Sequence, residues 1–113
     1  MQKILGVDFD DTLFCGGYPG SEKPNYPVIE YVKRRQREGW YIILVTCRHT
    51  QGDLDDALGK CASVGIHIDA VNENHPALIE RFGDCRKIYC DEYIDDRNLS
   101  LREIEKAYYR DRG

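Results

Sequence analysis

The chain has 113 residues, the size of one domain with room for one hydrophobic core, and it is read as a single domain over 1–113. Sixteen basic against twenty acidic residues give a net charge of −4, with the two signs interleaved, which argues against a long nucleic-acid groove. Five cysteines without a CxxC pair suggest neither a disulfide framework nor a zinc site, and no apolar stretch is long enough to span a membrane, so a soluble, cytoplasmic protein is expected.

The first element, Ile4-Leu5-Gly6-Val7, is a short apolar run closed by Asp8, the pattern of a buried parallel strand whose carboxyl end opens on solvent. Residues 14 to 25 are rich in Gly, Pro and Ser and predict a loop able to fold over a neighbouring site. Pro27 fits a first helical turn, and Val28, Tyr31, Val32 and Arg35 share a face until Gly39 ends the helix. A second buried strand, Trp40 to Val45, ends at Thr46. Leu54, Ala57, Leu58 and Cys61 form the stripe of an amphipathic helix that stops before Gly65, and Ile66-His67-Ile68 predicts a third strand. After Pro76 the spacing predicts a short helix to Phe82. A last strand, Glu92-Tyr93-Ile94, ends in Asp95-Asp96. Ser100 and Glu103 form a capping box, with Leu101, Ile104, Ala107 and Tyr108 as the apolar face of a C-terminal helix; Tyr108 and Tyr109 are also a candidate oligomer contact.

Strands alternating with helices imply right-handed crossovers and a three-layer α/β/α Rossmann-like fold with a mainly parallel sheet and helices on both faces. Ligands of such sheets bind beyond the carboxyl ends of the strands. Asp8, Asp10, Thr46, Arg48, Asp95 and Asp96 all fall at those ends. Clustered carboxylates repel one another unless a cation joins them, and an all-oxygen set suits Mg²⁺. One carboxylate is then free to attack phosphorus while Thr46 and a cation hold the phosphoryl oxygens. Arg48 and Lys87 are the cations offered. Arg48 has two readings, a substrate-phosphate ligand or a surface partner of Asp53 or Asp55.

The series Asp8-Phe9-Asp10-Asp11-Thr12-Leu13, Leu44-Val45-Thr46 and Tyr93-Ile94-Asp95-Asp96-Arg97 resembles the motifs of the haloacid dehalogenase superfamily, in the family's order and over nearly the whole chain. The run from Lys87 to Asn98 is similar to the matching segment of the 5'(3')-deoxyribonucleotidases and of small phosphatase-like proteins of bacteria and phages. The resemblance implies a Mg²⁺-dependent phosphomonoester hydrolase. Asp8 would be the nucleophile that forms an aspartyl-phosphate, Asp10 the acid and then the base, Thr46 the phosphoryl anchor, and Lys87 the family's cation, with Arg86 as fallback and the helical Lys60 behind it. Mg²⁺ would be held by Asp8, the backbone carbonyl of Asp10, and Asp95 or Asp96. Asp11 replaces the glycine most common in the family, and its side chain is expected to point away from the site.

The spacings from Thr12 to Thr46 and from Thr46 to Asp95 are taken up by ordinary elements, so no cap domain is expected. Capless members of the superfamily often accept bulky phosphates or borrow a neighbouring subunit as a lid. The substrate class is then a small phosphorylated molecule such as a nucleotide, or a nucleic-acid end, with no membrane partner and with a homo-oligomer as one arrangement. A different class, a non-catalytic phosphate- or nucleotide-binding module on the same fold, is kept open by Asp11.

Overall fold

A computed structural model describes residues 1–98 and 101–112 of the chain. Four strands form one parallel sheet in the order β5 (Ala70–Val71), β4 (Tyr41–Leu44), β1 (Ile4–Val7), β6 (Glu92–Ile94). The chain moves outward from β1 to β4 and β5, then returns to the far side of β1 for β6. Right-handed crossovers in opposite directions place their helices on opposite faces, which makes the three-layer Rossmann-like fold. The same reversal creates a switch point between β1 and β6.

Helices α1 (Tyr26–Arg37) and α2 (Gln51–Ser63) cover the face that carries Leu5, Val7, Ile42 and Leu44. Ile29 and Val32 of α1 and Ala57 and Cys61 of α2 close this core, which also takes Phe9, Leu13, Phe14 and Ile66. Pro27 lies in the first turn of α1, as its fixed φ favours, and Gly39 leaves the helix at φ 87°, a conformation that costs glycine little. Thr50 caps α2 by accepting the Asp53 N–H at 3.2 Å. On the opposite face Tyr41 meets His75, the residue that caps α3 (Pro76–Phe82).

Three expectations need correction. Ile66-His67-Ile68 is not a strand: Ile66 is drawn into the helical core, and pairing begins only at Ala70, opposite Ile43. The 14–25 segment is not loop throughout, because β2 (Phe14–Cys15) and β3 (Lys23–Pro24) pair antiparallel and carry the Gly- and Pro-rich turn between them. The apolar face of α4 (Leu101–Arg112) is not packed at Ile104 and Tyr108, which are half exposed; the Tyr108 ring lies against the exposed Tyr109 and Arg112. The Ser100–Glu103 capping box and the packing of Leu101 and Ala107 lie outside the described residues.

Candidate active site

Val7 pairs with Leu44 on one side and Ile94 on the other, so Asp8, Val45 and Asp95 are the next residues out at one level of the sheet. The Asp8 N–H donates to the Ile94 carbonyl at 2.9 Å, which locks the two acidic strand ends together. Gly6 leaves room for side chains of the neighbouring segment over β1: a Cβ there would lie 3.0 Å from the Tyr93 ring and 3.1 Å from the Cys90 sulfur.

One carboxylate oxygen from each of Asp8, Asp95 and Asp96 lies within 4.8 Å of the others. Thr12 ties the group together, donating to Asp8 Oδ2 at 3.5 Å and accepting the Asp96 N–H at 3.1 Å. Burial pushes the Asp8 carboxyl up to about 6; the Phe9 N–H opposes this, and the charges of Asp95, Asp96 and Asp10 add to it. Asp95 is held low by the Arg97 N–H and also accepts from the Tyr93 hydroxyl, at 2.9 and 2.9 Å, while its neighbour Asp96 is raised, chiefly by Asp95 itself. Unit charges about 4 Å apart repel by about 4 kcal/mol at an effective dielectric near 20. Three converging hard oxygen donors, two of them with raised carboxyls, fit a divalent cation of the Mg²⁺ kind.

Asp10, two residues on, lies in a different environment. Its Oδ2 accepts from Arg48 Nε at 2.9 Å, and its Oδ1 accepts from Arg48 Nη2 at 2.8 Å and from the Ser21 hydroxyl at 2.5 Å. The Arg48 fork holds the Asp10 carboxyl below the usual carboxylate range. Its side chain stands outside the acidic trio, so any share in metal binding falls to its backbone carbonyl. Asp11 adopts φ 60°, a left-handed conformation that Asp tolerates better than most residues, and its Oδ1 accepts the Gly17 N–H at 3.0 Å. The side chain is thus tied to the loop, but Asp11 also lines the acidic cavity and does not leave the site as expected.

A cavity of about 630 Å³ opens on these carboxylates and is also lined by Tyr18, Thr46, Arg48, His49, Tyr93 and Arg97. Thr46 reaches it because Asn72 brackets its peptide, accepting its N–H at 2.8 Å and donating to its carbonyl at 2.7 Å, while the Thr46 hydroxyl accepts the Arg48 N–H at 3.1 Å. Asp8, Asp10, Thr46, Arg48, Asp95 and Asp96 are therefore brought together.

Lys87 is not. Asp91 is already level with the start of β1, donating its N–H to the Ile4 carbonyl at 2.7 Å, so the residues before it lie below the amino end of the sheet. There Lys87 lines a second cavity, of about 400 Å³, with Leu78, Phe82 and Tyr89. Arg86 does not line the acidic cavity either, and Lys60 donates to the Gly20 carbonyl and to Asp56 at 2.9 and 3.1 Å. Arg48 also departs from expectation. Its side chain is 1% exposed and its partners are Asp10 and Asp56, not the surface carboxylates of Asp53 or Asp55. Sequence reasoning passed over Ser21, which looked like an ordinary turn residue; it placed Tyr18 only in a loop able to fold over the site and Arg97 only at the end of the Tyr93-Ile94-Asp95-Asp96-Arg97 motif, and it set His49 aside for want of ligand spacing.

The fold and the site define an α/β protein with an acidic cavity at the switch point of its sheet. No family model and no curated protein matches the chain. A solved structure of a conserved protein from Bacteroides thetaiotaomicron is similar, with a TM-score of 0.74 and 28% identity over 100% of this chain and 93% of that one.

Proposed function

We propose that the protein is a Mg²⁺-dependent phosphomonoester hydrolase of the haloacid dehalogenase kind, with Asp8 as nucleophile. The observation that carries this reading is the Asp8, Asp95 and Asp96 trio, whose oxygens lie within 4.8 Å of one another at the ends of two paired strands. Mg²⁺ bound there would relieve the repulsion within the trio and polarise a phosphoryl oxygen. Asp8 then attacks phosphorus as the leaving oxygen departs, giving an aspartyl-phosphate. Asp10, an ionised acceptor held at the cavity wall by Arg48 and Ser21, takes a proton from the water that cleaves the acyl-phosphate, while the leaving oxygen takes its proton from solvent. Thr46, Arg97 and His49 line the space where the phosphoryl group and its substituent would sit. A cavity of about 630 Å³ has room for a nucleotide, in line with a nucleotide or nucleic-acid end as substrate.

The test is hydrolysis of p-nitrophenyl phosphate with Mg²⁺. Turnover in the wild type and its loss in Asp8→Asn is the expected result; turnover that survives the substitution would sink the nucleophile assignment. The non-catalytic binding module draws on one observation, the engagement of both Asp10 oxygens. It predicts phosphate binding without turnover.

A further inference from the structure

We infer that Arg48 is a positioning residue. With Ser21 and the 16–21 loop, it holds the Asp10 carboxylate at the cavity wall, beside the metal-binding trio and outside it. This rests on the hydrolase reading of the site and gives Arg48 a role other than grasping substrate.

The geometry around the guanidinium carries the argument. Nε and Nη2 grip the two Asp10 oxygens at 2.9 and 2.8 Å, a parallel fork that fixes the plane of the carboxylate as well as its place. Nη1 donates to the Asp53 carbonyl at 2.9 Å and to Asp56 Oδ2 at 3.1 Å, and Nη2 also reaches the Pro19 carbonyl at 3.4 Å. The ring centroids of Phe9 and Tyr18 lie 4.8 and 5.2 Å from its central carbon. A guanidinium this enclosed, with each of its nitrogens engaged, cannot turn a fork toward a phosphate without releasing Asp10.

The loop completes the clamp. The Tyr18 hydroxyl donates to Asp53 Oδ2 at 2.6 Å and Lys60 donates to the Gly20 carbonyl at 2.9 Å, so the loop is fastened to α2. Ser21, 1% exposed, points its hydroxyl at the oxygen of Asp10 that Nη2 also holds. Two residues far apart in the chain, Arg48 and Ser21, thus converge on one carboxylate. Proton transfer depends steeply on such placement, since the acid or base must stay within hydrogen-bond reach of the reacting oxygen.

The experiment uses the full chain with Mg²⁺ and compares the wild type, Arg48→Lys, Ser21→Ala and Asp8→Asn. It measures kcat and KM on p-nitrophenyl phosphate, inorganic-phosphate affinity by calorimetry, and thermal unfolding. Lysine keeps the charge but loses the fork, so kcat should fall about tenfold or more, and about threefold in Ser21→Ala, with KM and phosphate affinity within about twofold of wild type. A rise in KM together with a loss of phosphate affinity would make Arg48 a substrate ligand and overturn the inference. A lowered melting temperature with kcat unchanged would make its role structural and overturn it equally. Should Arg48→Lys fail to fold, Ser21→Ala, which removes one hydroxyl, decides by the same criteria. Turnover absent from the wild type, or kept by Asp8→Asn, sinks the hydrolase reading and this inference with it. Turnover lost in Asp8→Asn but undiminished in Arg48→Lys and Ser21→Ala sinks the positioning role alone.

Discussion

The Asp8, Asp95 and Asp96 trio and the Asp10 clamp are built from the same kind of side chain and stand side by side, yet Asp8 and Asp10 are driven in opposite directions. Asp8 is pushed up to about 6 by burial and by neighbouring negative charge. Asp10 is held low by a buried guanidinium and a hydroxyl. The clamp carries its counter-charge within the fold, whereas the trio is held by the hydroxyls of Thr12 and Tyr93 and by backbone N–H groups. A site with both can keep one carboxylate available to a cation and substrate while the other is held still.

The largest expected effect separates the trio's function from its stability. Asp8→Asn should lower turnover by on the order of a thousandfold, as loss of a nucleophile does, yet raise the melting temperature in EDTA because one repelling charge is gone. A variant less stable than wild type in EDTA would contradict the repulsion. Next comes the clamp: Arg48→Met leaves Asp10 charged with Ser21 alone and should cost about 3 kcal/mol in urea unfolding, the order found when one partner of a buried pair is removed. A loss below about 1 kcal/mol, the value of an exposed pair, would mean the clamp is solvated.

Mg²⁺ distinguishes the two regions directly. At a hundredfold excess over its dissociation constant it should add about 2.7 kcal/mol to wild-type stability. Asp95→Asn with Asp96→Asn should abolish that gain, whereas Arg48→Lys should keep it; an equal gain in the double variant would place the cation elsewhere. The smallest effect is in pH. The folded-state carboxyl of Asp8, at about 6, lies above its unfolded value near 4, so between these values the folded chain binds more protons and metal-free stability falls as pH rises. The lowered Asp10 acts oppositely, its contribution present above the ordinary carboxylate range and lost as pH falls through its own value. In EDTA, Asp8→Asn should flatten the decline between pH 4 and 6. An unchanged slope would remove Asp8 as its source.

The legible parts of the site were those encoded by local pattern. An apolar run ending in Asp8, a second ending at Thr46 and a third ending in Asp95-Asp96 pointed to parallel strands opening on one edge, and the register bears this out: Leu44, Val7 and Ile94 pair at one level. The third strand was misplaced because Ile66 and Ile68 are as apolar as strand residues, yet Ile66 is claimed by the helical core and the sheet pairs Ala70 and Val71 instead. Lys87 drew attention as the cation preceding Asp95-Asp96 in the order of the motif series, although few residues separate it from Asp95. Whether a residue just before a short strand lies at the carboxyl or the amino end of the sheet depends on where pairing starts, and Asp91 beside Ile4 places it at the amino end.

By itself the sequence determined the alternation of strands and helices, the carboxylates at strand ends and hence the oxygen character of the cavity. These follow from hydrophobic periodicity and from residue chemistry that is the same in any surroundings. Only the tertiary structure decided which carboxylates meet one another and which meets a cation. Asp8 and Asp10 are the same residue type two positions apart, and what distinguishes them is supplied by Asp95 and Asp96 from one side and by Ser21 and Arg48 from the other. Charge interactions depend on distance and burial in space, and separation along the chain encodes neither.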